Sequence, residues 1–187
     1  FVIEAIFEDR AAKAALMAQA AQALAQRTPN FVWASNTSTL PISGLADFWL
    51  QPDQVIGMHF FSPVPRMPLL EIISGQQTSD ATLARTMDLA ARLGKTPILV
   101  NDSPGFYTSR IFCAYIDEGM AMLAEGINPA LIENAARQAG FATSPLAVTD
   151  EVSLDLQALV IAQAERDGLA EQFLRHAGAR AEARRDA

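Results

Sequence analysis

The stretch GMHFFSPVPRMPLLEIISG, residues 57–75, decides how the chain is read. Val55 to Phe61 is an apolar, partly aromatic run broken by Pro63 and Pro65, and Leu69 to Ile73 is a second apolar run. Both read as strands joined by a rigid connection. His59, one of two histidines, then falls near the C-terminal end of the first strand, where open α/β sheets place their ligands. Glu71 is the one ionisable group inside the second. A carboxylate within an apolar strand is costly to bury unless paired. An imidazole that takes up a proton needs an anion to orient it and to stabilise its cation. Those two needs point to a general base and its partner, although a satisfied strand-end histidine and a solvent-facing glutamate give the same pattern.

Upstream, Phe1 to Phe7 mixes β-branched and aromatic residues as a buried parallel strand does, with Glu4 interrupting it. Asp9 precedes an alanine-rich segment to about Gln26, made of strong helix formers, and Phe31 to Ala34 reads as the next strand. This is a βαβ unit, so a parallel sheet is expected. Ser35-Asn36-Thr37-Ser38-Thr39 follows, five small polar residues that suit either a ligand-binding loop or a turn and helix cap. A short helix is expected over Ala46 to Leu50, carrying Trp49, with Asp53 in a turn.

Downstream, Thr78-Ser79-Asp80 supplies N-cap candidates for a helix to about Leu93 closed by Gly94, and Thr96 to Val100 reads as a last strand. Asn101-Asp102-Ser103-Pro104-Gly105 is a cluster of turn formers after which strand patterns cease. A boundary there gives a sheet domain over 1–101 and an all-helical one over 102–187. The second has helices over Phe106 to Ala124, Asn128 to about Ala139 and Ser153 to about Glu165. His176 falls in a tail of alanine, arginine and acid with no apolar face wide enough to pack.

Half of the 187 residues are hydrophobic, enough for a real core. The net charge of −7, without a lysine-rich run, favours neither nucleic acid nor an anionic membrane. A lone Cys113 in a helical pattern fits a reducing compartment and reads as a small buried hydrophobe. No apolar run reaches membrane-spanning length, no charged-then-apolar leader is present, and no metal-ligand set is expected. A cytoplasmic or matrix-like location is therefore expected. The chain opens at Phe1 directly in a strand pattern, without an initiator methionine, and is expected to be a fragment.

GMHFFSPV with MPLLEI, preceded by SNTSTLPI and followed by NDSPGFYTSR, resembles 3-hydroxyacyl-CoA dehydrogenase over Val2 to about Asp155. The likeness is to the dehydrogenase part of the multifunctional α-subunits of fatty-acid β-oxidation. It implies an α/β fold: the C-terminal half of a Rossmann-type NAD-binding sheet domain, then a helical domain that dimerises and closes the acyl pocket. It also implies NAD-dependent oxidation of (S)-3-hydroxyacyl-CoA to 3-oxoacyl-CoA, with a hydratase module, a thiolase subunit or a homodimer as partners. On this resemblance Ser38 hydrogen-bonds the substrate oxygen beside the nicotinamide, Ser109 lies toward the substrate, and Glu8, Lys13 and Ser62 stand at cofactor positions. Ordinary helix-start charge accounts for Glu8 and Lys13 equally well.

Such an oxidation needs a base, something to hold it, and a polar grip on the alcohol oxygen. With His176 in the tail and Cys113 in a helix, His59 is left as the base, Glu71 as the orienting anion and Ser38 as the grip. Ser62 and Ser109 stand where many members carry asparagine, and a hydroxyl replaces only one hydrogen bond of an amide. Ala142, Ser144 and Ser153 replace a proline and two glycines of the family, so the loop over residues 141–150 is expected to differ. Nothing matches G-x-G-x-x-G, and the chain alone is expected to bind NAD weakly or not at all and to be inactive. Two competing readings are a non-catalytic structural or dimerisation module, which needs none of Ser38, His59 and Glu71, and a Rossmann dehydrogenase of a small hydroxy acid, which the SNTS and HFFSPV motifs oppose.

Overall fold

A computed structural model describes residues 1–24, 31–152, 162 and 165. The chain divides into two compact units, Phe1–Tyr107 and one opening at Thr108. The first is a five-stranded mixed sheet in the order β1-β2-β3-β4-β5, formed by Val2–Glu4, Trp33–Ser35, Val55–Phe60, Leu69–Ser74 and Thr96–Asn101. β1, β2 and β3 run parallel, β4 runs antiparallel to β3, and β5 is parallel to β4. The reversal follows from length. Residues 61–68 are too few for a parallel crossover, which takes a dozen or more. The longer connections carry helices: α1 (Arg10–Leu24) between β1 and β2, α2 (Ile42–Ala46) between β2 and β3, and α3 (Asp80–Arg92) between β4 and β5.

Side chains alternate across the strands and build two cores. Trp33, Val55 and Ile73 pack with Met17, Ile42, Leu45, Trp49 and Phe106 on one face, while Ala34, Ile56, Met58, Leu70 and Ile72 pack with Ala90 on the other. The strands therefore read as apolar runs because both faces are covered. By the same alternation His59 and Glu71 share the face that carries Phe106.

Gly57 sits on that face opposite Ile73. A Cβ there would stand 2.7 Å from Ile73 Cδ1 and 2.9 Å from Ile42 Cδ1. Gly57→Ala is expected to destabilise the sheet by about 1–3 kcal/mol, the range for overpacking a filled core, as a drop in the urea midpoint with unchanged slope. A midpoint equal to that of the unmodified protein would show that Ile73 and Ile42 yield without strain.

Several elements differ from the sequence expectation. β1 is shorter than Phe1 to Phe7, because Glu4 turns its carboxylate inward and Ile6 N donates to it at 3.2 Å. The short helix lies at Ile42–Ala46, ahead of Ala46 to Leu50, and Trp49 is in the turn that follows, stacked on Trp33 at 5.0 Å. Its start is held from a distance. Asp102 Oδ1 accepts from Ile42 N at 2.6 Å, and its Oδ2 accepts from Ser43 N at 2.7 Å and from Ser43 Oγ at 2.5 Å. α3 begins after Ser79, whose hydroxyl accepts from Thr82 N.

The second unit contains α4 (Thr108–Ala124), α5 (Pro129–Gln138) and α6 (Pro145–Val152). Asn128 caps α5 by accepting from Ala130 N at 2.9 Å, with Pro129 in the first turn. The sequence patterns did not place α6. Its start depends on Glu133, which accepts from Ser144 Oγ, from Leu146 N at 3.1 Å and from Ala147 N at 3.4 Å. The Ser144 bond holds the Glu133 carboxyl below its ordinary range. Tyr115 stacks on Phe141 at 4.3 Å and donates to Thr143 O at 2.9 Å, so the loop over residues 141–144 is packed onto α4. Burial raises the Cys113 thiol, with Asp117 adding to it. The helix expected over Ser153 to about Glu165 and the tail with His176 lie largely or wholly outside the described residues.

Candidate active site

His59 is the fifth residue of β3, and Glu71 is its register partner on β4. Directly opposed residues of an antiparallel pair bring their side chains together on one face. His59 Nδ1 lies 2.7 Å from Glu71 Oε2, with Glu71 fully buried and His59 nearly so. A carboxylate only accepts, so Nδ1 carries the proton and donates. That leaves Nε2 as the ring's free position for proton transfer. The imidazole packs beside two aromatic rings, Phe61 at 4.5 Å and Phe106 at 6.2 Å between centroids.

The second Glu71 oxygen is also held. Oε1 accepts from Tyr107 N at 3.1 Å. This contact was not anticipated from sequence, where Gly105 read as the end of a turn cluster and Phe106 and Tyr107 as the start of a helix that in fact begins at Thr108. The chain reaches it through Gly105 at φ +71° and Phe106 at φ +49°, two consecutive left-handed residues. For phenylalanine this conformation is costly, and burial of its ring in the core holds it there. Pro-Gly-Phe-Tyr was the available signal, since glycine in a turn cluster marks positive φ.

The loop after β2 is fixed by one carboxylate. Glu8 Oε1 accepts from Thr37 Oγ1 at 2.6 Å and from Ser38 N, Thr39 N and Thr39 Oγ1, each at 2.9 Å. Asn36 Oδ1 accepts from Phe60 N at 2.8 Å, which ties this loop to β3 one residue past His59. Loop and histidine therefore belong to neighbouring strand ends of one sheet edge, β2 and β3 being parallel partners.

The other sequence-predicted residues are Lys13, Ser62 and Ser109. Lys13 is buried inside the sheet unit at 1% exposure, donating to both Glu4 oxygens at 2.9 and 3.0 Å. Ser62 is exposed in the β3–β4 connection. Ser109 is half-buried in the first turn of α4, in the second unit.

A nicotinamide dinucleotide asks two things of such a site: polar groups around the reacting ring, and backbone N–H groups for the diphosphate. The first is met by His59 and the polar loop over residues 35–39. The turn between β1 and α1 does not meet the second. It carries Glu8 and Asp9, and Asp9 Oδ1 already takes the Ala12 amide at 2.8 Å. His59 and the loop over residues 35–39 suit the reacting end of the dinucleotide, and the turn between β1 and α1 does not suit its diphosphate.

Residues 1–103 match the family model described as 3-hydroxyacyl-CoA dehydrogenase, NAD binding domain, and residues 105–183 match the one described as 3-hydroxyacyl-CoA dehydrogenase, C-terminal domain. Among solved structures, (S)-3-hydroxybutyryl-CoA dehydrogenase PaaH1 from Ralstonia eutropha is 37% identical with a TM-score of 0.83, over 92% of this chain and 60% of that one. FadB2 of M. tuberculosis is 33% identical with a TM-score of 0.82, over 92% of this chain and 59% of that one. The dehydrogenase part of multifunctional enzyme 1 from C. elegans is 25% identical with a TM-score of 0.55, over 86% of this chain and 37% of that one. The chain thus spans about three-fifths of the length of the first two.

Proposed function

Because the chain belongs to the 3-hydroxyacyl-CoA dehydrogenase family, whose cofactor is NAD, we propose that it carries the proton-transfer half of an enzyme oxidising (S)-3-hydroxyacyl-CoA to 3-oxoacyl-CoA. The observation behind this reading is the buried His59–Glu71 pair, 2.7 Å apart on adjacent strands beside the polar loop over residues 35–39. Bound NAD would supply the acceptor for the hydride that leaves the carbinol carbon. His59 Nε2 takes the hydroxyl proton, and Glu71 stabilises the imidazolium that forms. Ser38 hydrogen-bonds the same oxygen as the alcohol becomes a ketone. In the reverse direction the imidazolium returns its proton to the carbonyl oxygen.

Ser62 and Glu8 are the cofactor-side candidates, and Ser109 the substrate-side one. Lys13 acts on the cofactor side only through its carboxylate neighbours. The second unit exposes Ile111, Leu131 and Phe141 by half or more, which supports a homodimer or a seat in a multifunctional complex with hydratase and thiolase partners. Fatty-acid β-oxidation in the cytoplasm is the setting that accommodates this activity. Among the described residues no helix is long and apolar enough to cross a membrane.

The test is loss of NADH absorbance on adding acetoacetyl-CoA to the full-length gene product. Turnover within the ordinary enzyme range of about 1–10³ s⁻¹ is expected. A folded product that binds acetoacetyl-CoA and leaves NADH unconsumed would sink the dehydrogenase reading in favour of a scaffold.

A further inference from the structure

Beneath the loop over residues 37–39 runs a line of charge that takes no part in the proposed proton transfer. Glu4, at 4% exposure, accepts from Lys13 Nζ with both oxygens and from Ser35 Oγ with Oε1. Lys13 Nζ also reaches Ile6 O at 3.4 Å and lies 3.8 Å from Glu8 Oε2. Glu8 in turn gathers four donors from Thr37, Ser38 and Thr39 onto Oε1. The order is carboxylate, ammonium, carboxylate, then loop. A buried ammonium is tolerable only where anions surround it, and Glu4 and Glu8 flank this one.

We propose that Glu8 is a positioning residue for Ser38: its carboxylate, backed by Lys13 and Glu4, sets the backbone of residues 38 and 39 and through it the place of the Ser38 hydroxyl. This rests on the dehydrogenase reading. It gives Lys13 a role through its two carboxylate neighbours, consistent with its burial. A neutral amide at position 8 accepts fewer and weaker hydrogen bonds than a carboxylate and no longer faces the ammonium as an anion, so the loop loses its anchor.

The experiment compares the full-length protein with Glu8→Gln and Glu8→Asp, reading kcat and KM for NADH and acetoacetyl-CoA together with amide hydrogen exchange at residues 34, 38, 39 and 56. For Glu8→Gln, kcat falls roughly tenfold or more, the scale of one lost charge-assisted hydrogen bond, alongside any rise in KM for NADH that comes from Glu8's place on the cofactor side. Exchange at residues 38 and 39 speeds up by at least about tenfold, while residues 34 and 56, in the strands, keep their protection. Glu8→Asp keeps the anion and recovers part of the kcat loss. A raised KM for NADH at constant kcat, with exchange at 38 and 39 unchanged, would overturn the proposal and leave Glu8 a cofactor contact alone. If Glu8→Gln fails to fold, Thr39→Val, which removes one donor to Glu8, is measured instead and moves kcat and exchange the same way by a smaller factor. Unchanged values there overturn the proposal equally. An inactive unmodified protein overturns the dehydrogenase reading instead, and the exchange comparison then decides on its own whether Glu8 holds the loop.

Discussion

His59→Asn lowers kcat for acetoacetyl-CoA reduction by about 10²–10⁴-fold, the contribution of a positioned acid–base group, with little change in stability. Asparagine is the informative replacement because its amide nitrogen stands near where Nδ1 was. Glu71 Oε2 now takes its proton donor from Nδ1 at 2.7 Å, and the carboxamide can supply that donor while offering nothing at the position of Nε2. The loss then belongs to proton transfer and not to an orphaned buried carboxylate. Binding of acetoacetyl-CoA and NADH, read by titration, stays near the unmodified values. A variant retaining a third or more of the turnover would remove His59 from the mechanism.

Glu71→Ala is expected to have the largest effect on stability. The carboxylate is fully buried, with one oxygen on His59 and the other on Tyr107 N. Removing one partner of a buried pair costs about 3–5 kcal/mol, because the remaining groups keep their desolvation penalty without the bond. For a chain of this size that is a fall in Tm of roughly 6–20 °C. Glu71→Gln separates the charge from the shape. Its single amide oxygen serves either His59 or Tyr107, so it unfolds at a temperature between the other two. Its kcat falls because no anion stabilises the imidazolium. If Glu71→Ala melts within about 2 °C of the unmodified protein, the pair carries no net structural weight.

The His59–Glu71 pair was legible because each residue is a lone ionisable group in an apolar strand, and alternation then dictates a shared face. That the two strands pair antiparallel was not legible in residue types; it follows from the length of the 61–68 connection, which is too short for a parallel crossover. α2 was misplaced for a comparable reason. Its first-turn N–H groups are satisfied by Asp102, about 60 residues downstream, and a local window over Pro41 to Ala46 sees a proline, a serine and a glycine with no cap. Glu4 looked like a flaw in a strand and Lys13 like helix-start charge. Only folding shows that each is the other's counter-ion. The Tyr107 contact needed two left-handed residues in succession, and a phenylalanine in that conformation has no sequence signature of its own.

The head-to-head placement of residues 59 and 71 also constrains how this region tolerates changes in length. Lengthening or shortening the connection over residues 61–68 leaves both side chains pointing the same way. Adding or deleting a single residue inside either strand turns one of them to the opposite side of the sheet, into the layer occupied by Met58 and Ile72. Indels across homologues should therefore collect in the connector and avoid the two strands.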